Sequence, residues 1–201
     1  MASPSCRLFV IPARDTPTAI ILRRGPTRWY HLILWDMHRG TFTEGAWFRG
    51  RIYEEKCDLS PDGKLFVYFA YKFMNAYTSV SRPPWLHALV TWPQGTTYGG
   101  GGRFIANRRL APRGIIGLDN PYPEHQPGLE LAPEEYAPEP HRSTGEVPGS
   151  DWCGHDHQGQ VISTLGGKLF RRSGTNDVLV TDFNDQQPNP QPPPEWASRW
   201  P

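Results

Sequence analysis

Asp58-Leu59-Ser60-Pro61-Asp62-Gly63-Lys64-Leu65-Phe66-Val67-Tyr68-Phe69-Ala70 is the stretch on which the architecture turns. Ser60-Pro61-Asp62-Gly63 places proline where a type I turn needs a preset φ and glycine where the chain leaves the turn, so a reversal is close to forced. A β-strand follows from Lys64. Along it Lys64, Phe66, Tyr68, Ala70 and Lys72 share one face, while Leu65, Val67, Phe69 and Tyr71 share the other. Both faces are mainly apolar or aromatic, which predicts a strand inside a sheet and covered on both sides. Asp58 and Asp62 form a carboxylate pair that turn capping explains.

Upstream, Trp29-Tyr-His-Leu-Ile-Leu-Trp-Asp36 is rich in aromatic and bulky aliphatic residues and stops before a polar stretch with Gly40, as a strand before a turn does. Arg51-Ile52-Tyr53-Glu54 alternates like a half-exposed strand. Downstream, Tyr77-Thr-Ser-Val-Ser81 reads as a short strand, Arg82-Pro83-Pro84 breaks it, and Trp85 to Trp92 begins another. Glycines 99–102 form a flexible connection into Arg103-Phe104-Ile105, an edge strand. Ile115-Ile116-Gly117-Leu118 is the last apolar run before an acidic, proline-interrupted region. Order resumes at Asp151. Gln160-Val-Ile-Ser-Thr-Leu165, Gly166-Gly167 and Lys168-Leu-Phe-Arg171 make a hairpin, and Asp177 to Phe183 adds a strand. Helix is confined to single turns near Leu131 to Tyr136 or Glu195 to Arg199.

This predicts an all-β chain with one main domain. Residues 1–118 are its β-meander part, 119–150 a Pro-rich acidic loop, 151–185 the closing strands of the same domain, and 186–201 a Pro-rich tail with six prolines among residues 188–201. The tail is expected in polyproline-like or irregular conformation, able to dock on another chain. The architecture is an antiparallel meander, either propeller-like (reduced or open) or two packed sheets.

Composition narrows the functional classes. Three widely spaced cysteines, Cys6, Cys57 and Cys153, provide no disulfide framework, and the amino terminus lacks the apolar run of a signal peptide. A reducing, cytoplasmic location is expected. No segment approaches membrane-spanning length, so no membrane partner is expected. The net charge of +1 conceals a division: residues 1–114 hold 16 Lys and Arg against 7 Asp and Glu, while residues 115–201 hold 5 against 13. The acidic half can lie across the basic one, or the basic face can meet an anionic partner.

Candidate sites are few. Trp47, between Gly45 and Gly50, and Trp85, after Pro83-Pro84, lie on predicted loops where an aromatic side chain meets a partner. Tyr98, Phe104, Arg103, Arg108, Arg109 and Arg113 make the densest cationic and aromatic cluster, suited to nucleic acid or phosphate. Glycines 99–102 lack the Gly-Lys-Ser/Thr ending of a phosphate loop. Cys153, His155 and His157, with Asp156, form the one grouping with metal-ligand chemistry, although Asp156-His-Gln-Gly159 equally suits a turn. Cys57 precedes a buried strand and reads as a packed thiol, and no nucleophile elbow is present.

The stretch from Asp58 to Ala70 resembles the Ser-Pro-Asp-Gly signature of TolB-type and Trp-Asp-type β-propeller blades, in which the turn joins the first two strands of a four-stranded blade. A shortened echo, Asp156-His-Gln-Gly159-Gln-Val-Ile-Ser, follows 96 residues later, close to two blade lengths of roughly 40–50 residues. The closing Leu-Phe-Arg and Asp-Phe-Asn-Asp pattern also resembles uncharacterised bacterial proteins, a likeness that brings no activity. The resemblance covers half the chain, and a self-standing propeller needs about four blades or more.

Together these features point to a non-catalytic protein-interaction module presenting Trp47, Trp85 and residues 98–113 to a protein partner. No cofactor and no catalytic residue is expected. The other classes are nucleic-acid or anion binding through the basic half, and a metal-dependent enzyme around Cys153, His155 and His157.

Overall fold

The computed structural model describes residues 6–114, 121–122, 128–133 and 141–201. Four sheets follow one another along the chain. The first is an antiparallel meander of β1 (Arg7–Pro12), β2 (Thr18–Arg24), β3 (Trp29–Asp36) and β4 (Thr41–Arg49). In the second, β5 (Arg51–Ile52) and β6 (Asp58–Leu59) occupy one edge of β7 (Phe66–Lys72), which pairs with β8 (Asn75–Ser81) and then β9 (Ala88–Gln94). The third holds β10 (Gly102–Ala106), β11 (Arg109–Pro112) and, parallel to β11, β12 (Glu130–Leu131). The fourth is β13 (Trp152–His155), β14 (Val161–Leu165), β15 (Lys168–Ser173) and β16 (Asn176–Asp182). Helix among the described residues is limited to 3-10 turns at Glu54–Lys56 and Glu195–Ser198, and none is long and apolar enough to cross a membrane.

Three apolar cores hold the sheets face to face. Ile11, Ile20, Leu22 and Leu32 meet Ile52, Leu59, Phe66 and Tyr68 between the first and second sheets. Val10, Ile21, Ile33 and Trp35 meet Trp152, Ile162 and Leu169 between the first and fourth. Val67, Val80, Val90 and Trp92 meet Phe104 and Leu110 between the second and third. The stacking order is therefore fourth, first, second, third. The first and second sheets are apolar on both faces because each is covered twice, and Phe66 to Ala70 of β7 are buried throughout. One strand of each sheet lies beside its neighbour in the stack, β1 against β13 and β6, and β6 against β10.

The predicted turn is present. Gly63 adopts φ 74° and its amide donates to the Ser60 carbonyl at 2.8 Å. Ser60 Oγ accepts the amides of Lys64 and Leu65 and donates to Asp62.

Several expectations change. β1 and β2 were not foreseen as strands, because unbroken apolar runs lack the period-2 signature. Residues 51–54 split into a two-residue strand and a 3-10 turn. Trp47 lies on β4, not on a loop, and Trp85 precedes β9, which tolerates Pro93 because it is an edge strand. Glycines 99–102 are packed rather than flexible: a Cβ on Gly100 would strike the Phe69 ring, and one on Gly101 the Lys56 carbonyl. Residues 115–118 and much of the acidic loop lie outside the described residues.

The tail docks on its own fold. Arg23, buried in the first sheet, donates to the carbonyls of Phe183 at 2.7 Å and Gln186 at 2.9 Å. Farther along, Arg82 donates to the Trp196 carbonyl at 2.9 Å and sits 4.9 Å over its ring. Trp200 packs on the third core, and Arg108 donates to the Pro201 carbonyl. Proline-rich backbone leaves its carbonyls without ladder partners, and arginine forks supply the donors.

Candidate functional site

Antiparallel pairing places the start of β1, residues 25–28, the β4–β5 junction, the β7–β8 hairpin and residues 95–101 at one end of the sheets. A cavity of about 320 Å³ opens there between the first and second sheets. Leu8, Phe9, Leu22 and Tyr53 form its apolar lining, and Arg7, Arg24 and Arg51 supply cations.

These arginines reach one space through sheet register. Arg7 lies directly opposite Arg24 in the β1–β2 ladder, a like-charge pair that costs stability. Their carboxylate neighbours are loose: Arg7 to Asp151 at 3.8 Å, Arg24 to Glu54 at 4.0 Å, Arg51 to Glu54 at 3.6 Å. Glu54 also accepts the Tyr30 hydroxyl at 2.9 Å. Burial, then the Glu54 charge, push the Tyr30 phenol well up. Lys56 belongs to the same lining but donates to the carbonyls of Thr97, Tyr98 and Gly99.

Exposed apolar groups stand around this cavity. Tyr71 is the cross-strand neighbour of Arg51. Beyond it Phe73 and Met74 form the tip of the two-residue β7–β8 hairpin, with φ 51° and 66° and exposures of 83% and 86%. A two-residue hairpin of this twist is normally Asn-Gly or Asp-Gly. Tyr98, on the loop held by Lys56, is 96% exposed.

The sequence-derived candidates are dispersed. Tyr98 lies at this end, but Arg108 and Arg109 lie at the far end of β10, where Arg109 pairs with Glu130 at 2.8 Å. Arg103 is half-buried on β10 between them. Trp47 stacks on His31 at 4.2 Å, with the Arg23 guanidinium 5.7 Å away, so it is half-buried in a packed cluster. Trp85 sits in the β8–β9 connection at the opposite end.

Cys153, His155 and His157 diverge. β13 ends at His155, which pairs with Glu146 at 3.0 Å, and His157 lies in the following turn rather than on a shared strand face. Asp156 caps that turn and binds Arg171 at 2.6 Å. Among the described residues no group of three His, Cys, Asp or Glu side chains is arranged to hold a metal ion.

The buried Cys153 thiol faces the Thr144 hydroxyl at 3.2 Å and the Ser143 hydroxyl at 3.6 Å. Burial pushes this thiol up, but hydrogen bonds from Thr144, the Val147 backbone, Ser143 and Ser150 outweigh it and bring the pKa down to about 6. Because the folded value lies below the unfolded one, the thiolate's contribution to stability is complete above the unfolded pKa and is lost as pH falls through about 6. Ultraviolet thiolate absorbance of the native protein is expected to titrate near pH 6 and to vanish in Cys153→Ser; an unshifted midpoint contradicts the hydrogen-bonded assignment.

Asp58 is not a turn residue. Its buried carboxylate accepts the Phe104 amide at 2.7 Å, meets His141 Nε2 at 2.6 Å and faces Arg14 at 3.5 Å. Arg14 also donates to the Phe104 carbonyl, and His141 accepts Trp152 Nε1–H at 2.9 Å through its own carbonyl. This network ties all four sheets together where β1, β6, β10 and β13 come together.

Sequence reasoning missed Arg7, Arg24, Arg51, Phe73 and Met74. The arginines are separated along the chain and meet only through tertiary packing. The Phe-Met pair betrays itself once the registers of its flanking strands are known. No family model, no curated protein and no solved structure matches the chain.

Proposed function

We propose that the chain is a non-catalytic protein-interaction module whose docking surface is the end ringed by Tyr71, Phe73, Met74 and Tyr98. The observation that carries this reading is the Phe73-Met74 tip. Two bulky residues in the left-handed region cost about 1–2 kcal/mol each, and at this exposure the pair recovers little of that cost within the chain, where the Lys72 ammonium stands 5.1 Å from the Phe73 ring. Strain retained on an exposed apolar tip is what a partner-binding residue looks like. The same reading treats the four sheets as blades of a reduced, open propeller. Its support is the side-by-side placement of β1, β13, β6 and β10 and the turns at residues 60–63 and 156–159, which join β6 to β7 and β13 to β14.

Phe73→Asn with Met74→Gly installs the residues that this turn prefers. The double variant is expected to be more stable by about 1–2 kcal/mol in chemical denaturation. Crosslinking to the partner, identified by mass spectrometry with the wild-type protein, should be lost at the same time. Unchanged crosslinking removes the hairpin from the interface.

A further inference from the structure

We propose that the cavity between the first and second sheets is an oxyanion pocket that receives a carboxylate or phosphate side chain of a protein partner; this rests on the protein-interaction reading. Arg7, Arg24 and Arg51 face one space, yet among the described residues none of their guanidinium groups donates a hydrogen bond, and their nearest carboxylates stand 3.6 to 4.0 Å away. Charge-assisted hydrogen bonds to guanidinium close to about 2.7–2.9 Å. The guanidinium groups stand at the cavity mouth, Arg7 mostly exposed, Arg24 and Arg51 partly so, with Arg51 5.4 Å over the Tyr53 ring, where an incoming oxyanion can close to hydrogen-bond distance.

Of the three carboxylates in the lining, Glu54, Glu55 and Asp151, two are already occupied. Glu54 is shared between two arginines and the Tyr30 hydroxyl, and Asp151 accepts the Gly166 amide at 2.8 Å. They orient the guanidinium groups without saturating them. Arg7 facing Arg24 across the ladder is a repulsion that folding alone does not require, and a bound anion would relieve it. Phe9 and Leu22 supply an apolar floor beneath these charges. Arg28, Arg49 and Lys72 add positive charge at the same end, so approach of an acidic segment is favoured. A peptide suits the rim better than a nucleic-acid strand. Phe73 and Met74 form an apolar knob, whereas single strands need successive aromatic platforms along a groove.

The test is fluorescence polarisation of the full chain with a labelled Glu-Phe-Glu-Leu-Glu peptide, the same peptide with phosphoserine at its centre, and a labelled oligothymidine strand. Both peptides are expected to bind, with affinity reduced about tenfold or more by Arg24→Gln with Arg51→Gln. The tighter peptide identifies the source of the oxyanion. Both arginines are partly exposed, so the variant should fold, which circular dichroism checks. Peptide binding that is unchanged in the arginine variant overturns the pocket, as does oligothymidine bound more tightly than either peptide with the same arginine dependence. The Phe73→Asn, Met74→Gly variant separates the two readings. A hairpin effect without an arginine effect refutes the pocket alone, and an arginine effect without a hairpin effect refutes the docking surface alone.

Discussion

Asp58→Ala is expected to destabilise the protein by about 3–5 kcal/mol, the range for removing one partner of a buried charge network. The substitution leaves the Phe104 amide without its acceptor and strips His141 and Arg14 of their shared carboxylate. It does so where strands of the second and third sheets meet the segment that enters the fourth, so the loss is spread over the whole stack. Asp58→Asn should cost less, because an amide oxygen can still accept from Phe104, but it cannot balance the arginine. Urea denaturation of the three proteins at neutral pH checks the order. An alanine variant within about 1 kcal/mol of wild type would sink the claim that this carboxylate joins the sheets.

Arg23→Ala should cost about 3 kcal/mol and free the tail, since hydrogen bonds to a charged donor are each worth roughly 1.5–3 kcal/mol when a buried group is orphaned. The Arg23 fork donates to Phe183, Gly25, Gln186 and Asn184 carbonyls, and no carboxylate appears among those acceptors. Without it, residues 183–186 lose their anchor on the first sheet, and the Gln186 contact with His31 should go as well. Limited proteolysis is expected to cut residues 186–201 faster than in wild type. Arg23→Lys should also release the tail, because an ammonium cannot span acceptors set this far apart. A protease pattern identical to wild type in both variants would show that the proline-rich segment is held by its later contacts alone.

How much of this was legible before folding depends on the range of the physics involved. The Ser60 to Gly63 turn, the buried strand after it and the Gly166-Gly167 hairpin were readable because turn chemistry and period-2 patterning act over a few residues. β1 and β2 were not, because strands covered on both faces lose the alternation that identifies them, and an apolar run looks alike in any buried element. Trp47 was expected on a loop because two glycines flank it. It joins β4, since Gly45 packs against Pro84 and Gly50 against the Phe48 ring, where any side chain would collide.

The candidate site divides along the same line. Tyr98 could be found from its neighbours in sequence, and so could the charge difference between the two halves of the chain. The sequence by itself determined an all-β chain, the turn that launches its central strand and a basic amino-terminal half. Only the tertiary structure decided that Arg7, Arg24 and Arg51 share a cavity, that Asp58 joins the sheets instead of capping a turn, and that the tail returns to its own fold. The reason is that strand pairing and face-to-face packing bring together residues tens of positions apart, and no local pattern records which distant residue will stand opposite.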